Sequence, residues 1–104
     1  MGRASVRDYL SGFIRIHILY HAAHEDVYGK HLKEELARHG YDLSYGTLYP
    51  MLHKMEKDGH LKSTTGKGDG RFRRTYRITT AGAKILNAAK AKVRELLAEL
   101  DETS

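Results

Sequence analysis

The chain has 104 residues, a length that allows one domain with one modest hydrophobic core. Its 18 Lys and Arg residues exceed its 13 Asp and Glu residues, and the resulting net charge of +5 suits a phosphate-rich partner but would also simply aid solubility. The absence of cysteine excludes disulfide bonds, thiolate metal sites and cysteine nucleophiles. Since neither a membrane span nor a signal-peptide core is visible, we expect a cytoplasmic protein with no membrane partner.

Residues 6–23 predict a first helix whose apolar side chains occupy most of its circumference. These side chains are Tyr9, Leu10, Phe13, Ile14, Ile16, Ile18, Leu19 and Tyr20. A helix that is apolar on nearly every side has to be covered from more than one direction, which a domain of this size does not achieve alone. The pattern therefore indicates a partner subunit.

Two further helices are predicted over residues 29–39 and from an N-cap at Ser44 to about residue 57, joined by a short turn. Pro50 lies within the second of them. A proline inside a helix removes one backbone hydrogen bond and favours a kink. Two alternatives follow: a kinked helix that starts after Ser44, or a regular helix that begins only near Tyr49.

Beyond Gly59 the pattern becomes that of a β-hairpin. Residues 61–65 and 72–78 are rich in strand-forming side chains, and the glycine-punctuated residues 66–70 between them predict the loop. Alternation places Phe72, Tyr76 and Ile78 on one face of the second strand and Arg71, Arg73, Thr75 and Arg77 on the other. The hairpin should therefore have an apolar underside and a cationic outer face.

Thr79 or Thr80 caps a last predicted helix that runs to about Leu100. Its apolar residues form a heptad-like seam of Leu86, Ala89, Val93, Leu96 and Leu100. Such a seam is suited to packing on another helix. The fold class expected is mainly α with a small β-hairpin wing. Residues 1–78 form a winged helix-turn-helix whose first helix joins the dimer interface, and residues 79–104 form a dimerisation helix of the same compact unit.

The order of the elements predicts double-stranded DNA as the partner. In a winged helix-turn-helix the second helix of the pair enters the major groove by its N-terminal end. That helix carries Ser44, Gly46, Thr47 and Tyr49, followed by His53 and Lys54. The wing adds Lys67, Arg71 and Arg73, which would lie along the phosphate backbone or the minor groove. Singly, Ser44 could be only an N-cap and the arginines only a solvated face, but in this order the two signals support each other.

Several short strings occur along most of the chain. They are Tyr28-Gly29, Gly40-Tyr41-Asp42-Leu43-Ser44, Gly46-Thr47-Leu48-Tyr49-Pro50, Met55-Glu56-Lys57-Asp58-Gly59, Gly70-Arg71, Arg73-Arg74, Tyr76, Ile78-Thr79 and Gly82. In these strings the chain resembles the PadR-like transcriptional regulators, and its short single C-terminal helix resembles the compact branch of that family. The resemblance implies a homodimeric repressor that binds a palindromic operator. No cofactor is expected. It also implies that Pro50 lies inside the recognition helix.

The same resemblance implies roles for particular residues. DNA contacts would fall to Ser44, Gly46, Thr47, Tyr49, Lys54, Arg71 and Arg73, with Tyr28 at the DNA backbone or behind the recognition helix. Compact members often hold aromatic or drug-like effectors at the dimer centre, which by position would be lined by Phe13, Ile14, His17, Ala89, Val93 and Leu97, beside the seam residues Leu96 and Leu100. Multidrug-binding relatives stack ligands on a tryptophan near the position of Val93. This chain has no tryptophan, so a plain dimer core is favoured over multidrug sensing.

The histidines of the first helix allow a different hypothesis. His17, His21 and His24 are spaced i, i+4 and i+7, which brings them near one helical face, with Glu25 or His31 as further ligands. They could bind a transition metal, as in a metal-responsive repressor, or serve only as packing and surface residues.

An enzyme is not expected. The glycine-rich residues 66–70 lie between strands and not before a helix, so they do not form a nucleotide-binding loop, and no nucleophile elbow or spaced carboxylate pair is present. A winged-helix module that binds proteins remains the other alternative. The wing arginines disfavour it.

Overall fold

A computed structural model describes residues 5–68 and 71–102, except for the side chains of residues 67, 68 and 71. The elements in chain order are α1 (Val6–His24), β1 (Val27–Tyr28), α2 (Gly29–Arg38), α3 (Tyr45–Lys57), β2 (Leu61–Gly68), β3 (Arg71–Ile78) and α4 (Thr80–Glu102). The strands form one antiparallel sheet in the order β1-β3-β2. A mainly helical chain with a small β-hairpin confirms the predicted fold class.

Serine caps start two of the helices. Ser5 and Asp8 form a reciprocal capping box at α1, in which the Ser5 backbone N–H donates to the Asp8 carboxylate at 2.7 Å. At α3 the Ser44 hydroxyl accepts a hydrogen bond from the Thr47 N–H at 3.2 Å, and Pro50 lies inside the helix. The alternative of a helix that begins only near Tyr49 is therefore wrong. The cap secures the first turn, and Pro50 removes only one backbone bond from a helix that is packed on the core.

The sheet is larger than the sequence indicates. Strand β1 was not predicted, because its two residues pair only with Tyr76 and Thr75 of β3 and leave no alternating pattern. Strands β2 and β3 remain paired as far as Gly68 and Arg71, so residues 66–68 belong to a strand and not to a loop. Residues 69 and 70 of the predicted loop lie outside the described residues.

One hydrophobic core joins α1, α2 and α3 to the base of the sheet. Its buried members are Ile14, Ile18, Leu19, Ala22, Val27, Leu32, Leu36, Leu43, Leu48, Leu52, Met55, Leu61, Tyr76 and Leu86. Each large aliphatic side chain buried in this way contributes about 1.5–3 kcal/mol. Phe72, predicted on the apolar underside of the hairpin, is instead 79% exposed. It pairs with Lys67 near the far end of the hairpin, away from the core residue Tyr76.

Helix α4 is attached to this core at its beginning only. A Cβ on Gly82 would lie 2.2 Å from the His60 carbonyl oxygen, so the glycine permits close packing against the start of β2. Within α4 only Gly82 and Leu86 are buried. None of the helices in the described part of the chain combines the length and the apolar composition that a membrane span requires.

Candidate nucleic-acid interface

Two tyrosines dominate the exposed N-terminal part of α3. The rings of Tyr45 and Tyr49 are stacked with centroids 5.5 Å apart, and the residues are 40% and 48% exposed. The Lys33 ammonium nitrogen lies 5.7 Å from the Tyr45 ring centroid and 3.9 Å from a carboxylate oxygen of Asp42. Sequence reasoning did not assign Lys33 to the site, because its proximity to α3 depends on how α2 packs.

The start of α2 is in close contact with Tyr49. A Cβ on Gly29 would lie 2.6 Å from the Tyr49 hydroxyl oxygen, so the ring occupies the space that a side chain would need. This contact places the predicted residues Tyr28 and Tyr49 next to each other. It also gives a physical reason for the Tyr28-Gly29 string.

Strand β3 brings a cation to the same place. The Arg73 guanidinium carbon lies 4.4 Å from the Tyr28 ring centroid, a cation–π distance. Tyr28, Lys30, Tyr49, Phe72, Arg73 and Arg74 surround a depression of about 280 Å³. We call the surface formed by Tyr28, Lys30, Tyr45, Tyr49 and Arg73 the tyrosine–cation face. Lys30 was not predicted, although its place in the first turn of α2 is visible in the sequence.

The N-terminus of α2 adds positive potential to this face. Its N-cap residue, Tyr28, makes no side-chain capping bond, and the first turn contains no acidic residue. The first N–H groups of a helix have no partner within the helix and carry the positive end of its dipole. An anion near Gly29 would therefore be stabilised.

The other residues predicted to contact DNA lie in different environments. Ser44 uses its hydroxyl to cap α3 and also donates to the Thr47 hydroxyl at 3.2 Å. Gly46 and His53 are exposed. Lys54 donates to Asp58 at 2.9 Å, and this hydrogen bond lowers the pKa of the Asp58 carboxyl. The side chains of Lys67 and Arg71 lie outside the described residues.

Arg74 belongs to a different group. Its guanidinium donates to the Ser63 hydroxyl at 3.0 Å and to Glu56 at 3.4 Å, while the Ser63 N–H and hydroxyl donate to Glu56. These hydrogen bonds, first the one from the Ser63 hydroxyl, hold the pKa of Glu56 below its usual value. The group ties α3 to both hairpin strands.

The faces of α1 and α4 carry much exposed apolar surface. Two depressions of about 310 and 360 Å³ lie there, both lined by Phe13, Ile16 and Val93; Ala89 and Leu96 join the first and His17 the second. Leu97 and Leu100 are exposed nearby. Ile14, assigned to this lining from its sequence position, lies in neither depression: it is 1% exposed and packs in the hydrophobic core.

The histidines gather differently from the expected set. His17 and His21 of α1 meet His39, and one ring nitrogen of each lies within 4.8 Å of the others. His24 is not in this group, since its Nδ1 is 2.8 Å from the Tyr20 carbonyl oxygen. His31 lies 3.8 Å from Glu25 and 3.7 Å from Glu35. Burial, followed by the nearby His39, lowers the pKa of His17; burial also lowers the pKa of His21.

Helices α2 and α3 followed by an antiparallel hairpin define a winged helix-turn-helix protein. Residues 18–88 match the transcriptional regulator PadR-like family. The chain is 46% identical over 95 residues to transcriptional regulator Rv3488 of Mycobacterium tuberculosis, a match that covers 91% of this chain and 89% of that protein. The chain therefore belongs to the PadR-like family of transcriptional regulators.

Solved structures agree with this assignment. A PadR-like transcriptional regulator from Bacillus cereus superimposes with a TM-score of 0.84 at 30% identity, covering 94% of this chain and 95% of that one. A PadR family regulator from Eggerthella lenta gives 0.80 at 29% identity, covering 93% and 86%. These relatives are transcriptional regulators and not enzymes, as expected for this chain.

Proposed function

We propose that the protein is a homodimeric repressor that binds a palindromic DNA operator through α3 and the wing. The observation that carries this proposal is the tyrosine–cation face, where α2, α3 and β3 present exposed aromatic and basic side chains on one side of the molecule. The chain belongs to a family of transcriptional regulators, and this membership supports DNA as the partner.

Phosphate contacts would fall to the start of α2 and to the wing. The uncapped N-terminus of α2 is suited to a phosphate, as helix N-termini commonly are. Lys30 and Arg73 border the same depression and would add charge-assisted hydrogen bonds. Such contacts position the protein on the duplex without reading its sequence. Lys67 and Arg71 would extend them along the wing.

Base contacts would come from the N-terminal half of α3, which enters the major groove in this class of module. Gly46 allows a close approach of the backbone, and the Thr47 and Tyr49 hydroxyls can donate to or accept from base edges. Ser44 would mainly hold this turn. His53 and Lys54 would lie further along the groove, and Lys54 would exchange Asp58 for a phosphate.

Dimerisation would bury the apolar surface of α1 and α4. Phe13 lies on this surface in α1, and Val93, Leu96, Leu97 and Leu100 lie on it in α4. Twofold symmetry would then place two recognition helices about one DNA turn apart, roughly 34 Å, which a palindrome matches.

The test is fluorescence anisotropy with labelled DNA from upstream of the protein's own gene, over a salt series. We expect affinity to fall steeply with salt, and Arg73→Ala to weaken binding to all sequences while reducing the salt slope by about 1 per lost contact. Lys84→Ala, at an exposed position of α4, is the control. Thr47→Ala should instead change sequence preference.

Two results would count against this assignment. If Arg73→Ala bound with wild-type affinity and salt slope, the wing would not contact phosphates. If the wild-type protein bound no DNA more tightly than random DNA, including duplexes selected from a random library, the winged helix would have a protein partner instead.

We further propose that a planar aromatic effector binds between α1 and α4 and releases the DNA. The two apolar depressions around Phe13 and Val93 support this, because a partner subunit would enclose them. An anilinonaphthalene dye added to the protein–DNA complex should gain fluorescence and lower the anisotropy. A Val93→Trp variant that bound the dye no differently would argue against this location.

A further inference from the structure

We propose that His17, His21 and His39 form a transition-metal site suited to zinc. Three imidazole ligands, two from α1 and one from the C-cap of α2, approach one another at this point, with one donor nitrogen of each within 4.8 Å of the others. Imidazole is a preferred ligand of zinc, and three histidines with one open position are a common zinc arrangement.

The spacing of the ligands supports binding. His17 and His21 are four residues apart on α1, so they lie about one turn apart on the same face of the helix. Two histidines at this spacing can bind the same zinc ion. His39 follows the last turn of α2, and its ring is stacked on that of His17 with centroids 4.5 Å apart. In a tetrahedral zinc site the donor nitrogens are roughly 3.3 Å apart, so side-chain rotations that bring the nitrogens closer by up to about 1.5 Å are sufficient.

A second observation points to a ligand at the same place. The Nε2 atom of His21 is buried and has no hydrogen-bond partner among the described residues. A buried polar atom without a partner is unfavourable, and such atoms call for a specific explanation. A bound metal ion would supply the missing interaction.

The three histidines are accessible to an ion from solution. His17 and His21 are half-buried, and His39 is exposed. The histidines also line the larger depression of the α1–α4 face, which would leave the fourth position open to water.

The test is titration of the chelator-treated protein with Zn²⁺ by calorimetry and with Co²⁺ by visible absorption. We expect one ion per chain and the absorption bands of tetrahedral cobalt. His39→Ala should weaken Zn²⁺ binding by at least tenfold and abolish the cobalt bands. His24→Ala, on the same helix but outside the group, is the matched control and should retain both.

Zinc should also raise the melting temperature of the wild type by roughly 10 °C at one hundred times its dissociation constant, but not that of His39→Ala. Equal zinc affinity of His39→Ala and the wild type, or no binding by the wild type, would overturn the proposal and leave the rings as packing residues. Circular dichroism verifies folding, and His39→Asn provides a second variant. Because no DNA is present, this outcome is independent of the proposed repressor function.

Discussion

Gly29 shows how one missing side chain shapes the tyrosine–cation face. The Tyr49 ring occupies the space beside its Cα, with the hydroxyl 2.6 Å from where a Cβ would be. Tyr49 is 48% exposed and is not a member of the core, so a methyl group at position 29 would displace its ring without disrupting the core.

We expect Gly29→Ala to weaken operator binding by about tenfold while lowering stability by about 1 kcal/mol or less, because the displaced ring belongs to the recognition helix. Anisotropy and urea unfolding measure the two effects. When Gly29→Ala is introduced into a Tyr49→Ala protein, it should cause little further loss of operator affinity, since both changes act through the same ring. Fully additive losses would contradict this coupling.

Arg73 and Arg74 show the limit of prediction for single residues. Arg73 was predicted as a wing cation on the outer face of the hairpin, whereas Arg74 was assigned no DNA contact. The structure places Arg73 over Tyr28 and Arg74 beside Glu56 and Ser63, because adjacent residues of a strand point to opposite faces. The sequence showed that side chains alternate between the two faces of β3. It did not show which other elements pack against each face.

At the scale of elements, the Glu56 group joins the recognition helix to the wing. Glu56 lies near the end of α3 and receives hydrogen bonds from β2 and β3. The orientation of the wing relative to α3 therefore depends on an ionised carboxylate.

The lowered pKa of Glu56 predicts a pH dependence of stability. A carboxyl whose pKa is lower in the folded state stabilises the fold at pH values above its unfolded pKa, and this contribution is lost as the pH falls below about 4.5. Urea unfolding at several pH values should therefore show a smaller decline in stability between pH 5 and 3 for Glu56→Gln than for the wild type.

Glu34→Gln serves as the control, since Glu34 is an exposed carboxylate elsewhere on the protein, on α2. It should reproduce the wild-type decline. A Glu56→Gln variant that lost stability on acidification as steeply as the wild type would show that other carboxyl groups dominate.

At the scale of the whole molecule, a single chain leaves a large apolar surface exposed to solvent. Val6, Tyr9 and Phe13 on α1 and Val93, Leu96, Leu97 and Leu100 on α4 are all exposed. Patches of this kind indicate contacts with other molecules. The described chain extends over 53 × 33 × 26 Å, with most of α4 outside the core.

We expect Leu97→Glu to raise the dimer dissociation constant by at least tenfold, because it would bury an unpaired carboxylate in an apolar interface. Sedimentation equilibrium measures this change, and operator affinity should fall with it. Asn87→Glu, at an exposed position nearer the start of α4, should leave the dimer intact. A Leu97→Glu protein that remained dimeric would place the interface elsewhere.

The sequence alone determined the helices and the hairpin, because hydrophobic periodicity, serine caps and turn glycines act over short distances along the chain. The family was indicated by the resemblance of its short residue strings. Only the tertiary structure decided that β1 exists, that Ile14 is a core residue, and that His39 and not His24 joins His17 and His21. These features depend on contacts between residues far apart in sequence. Such contacts are set by how the elements pack, and periodicity within an element carries no record of them.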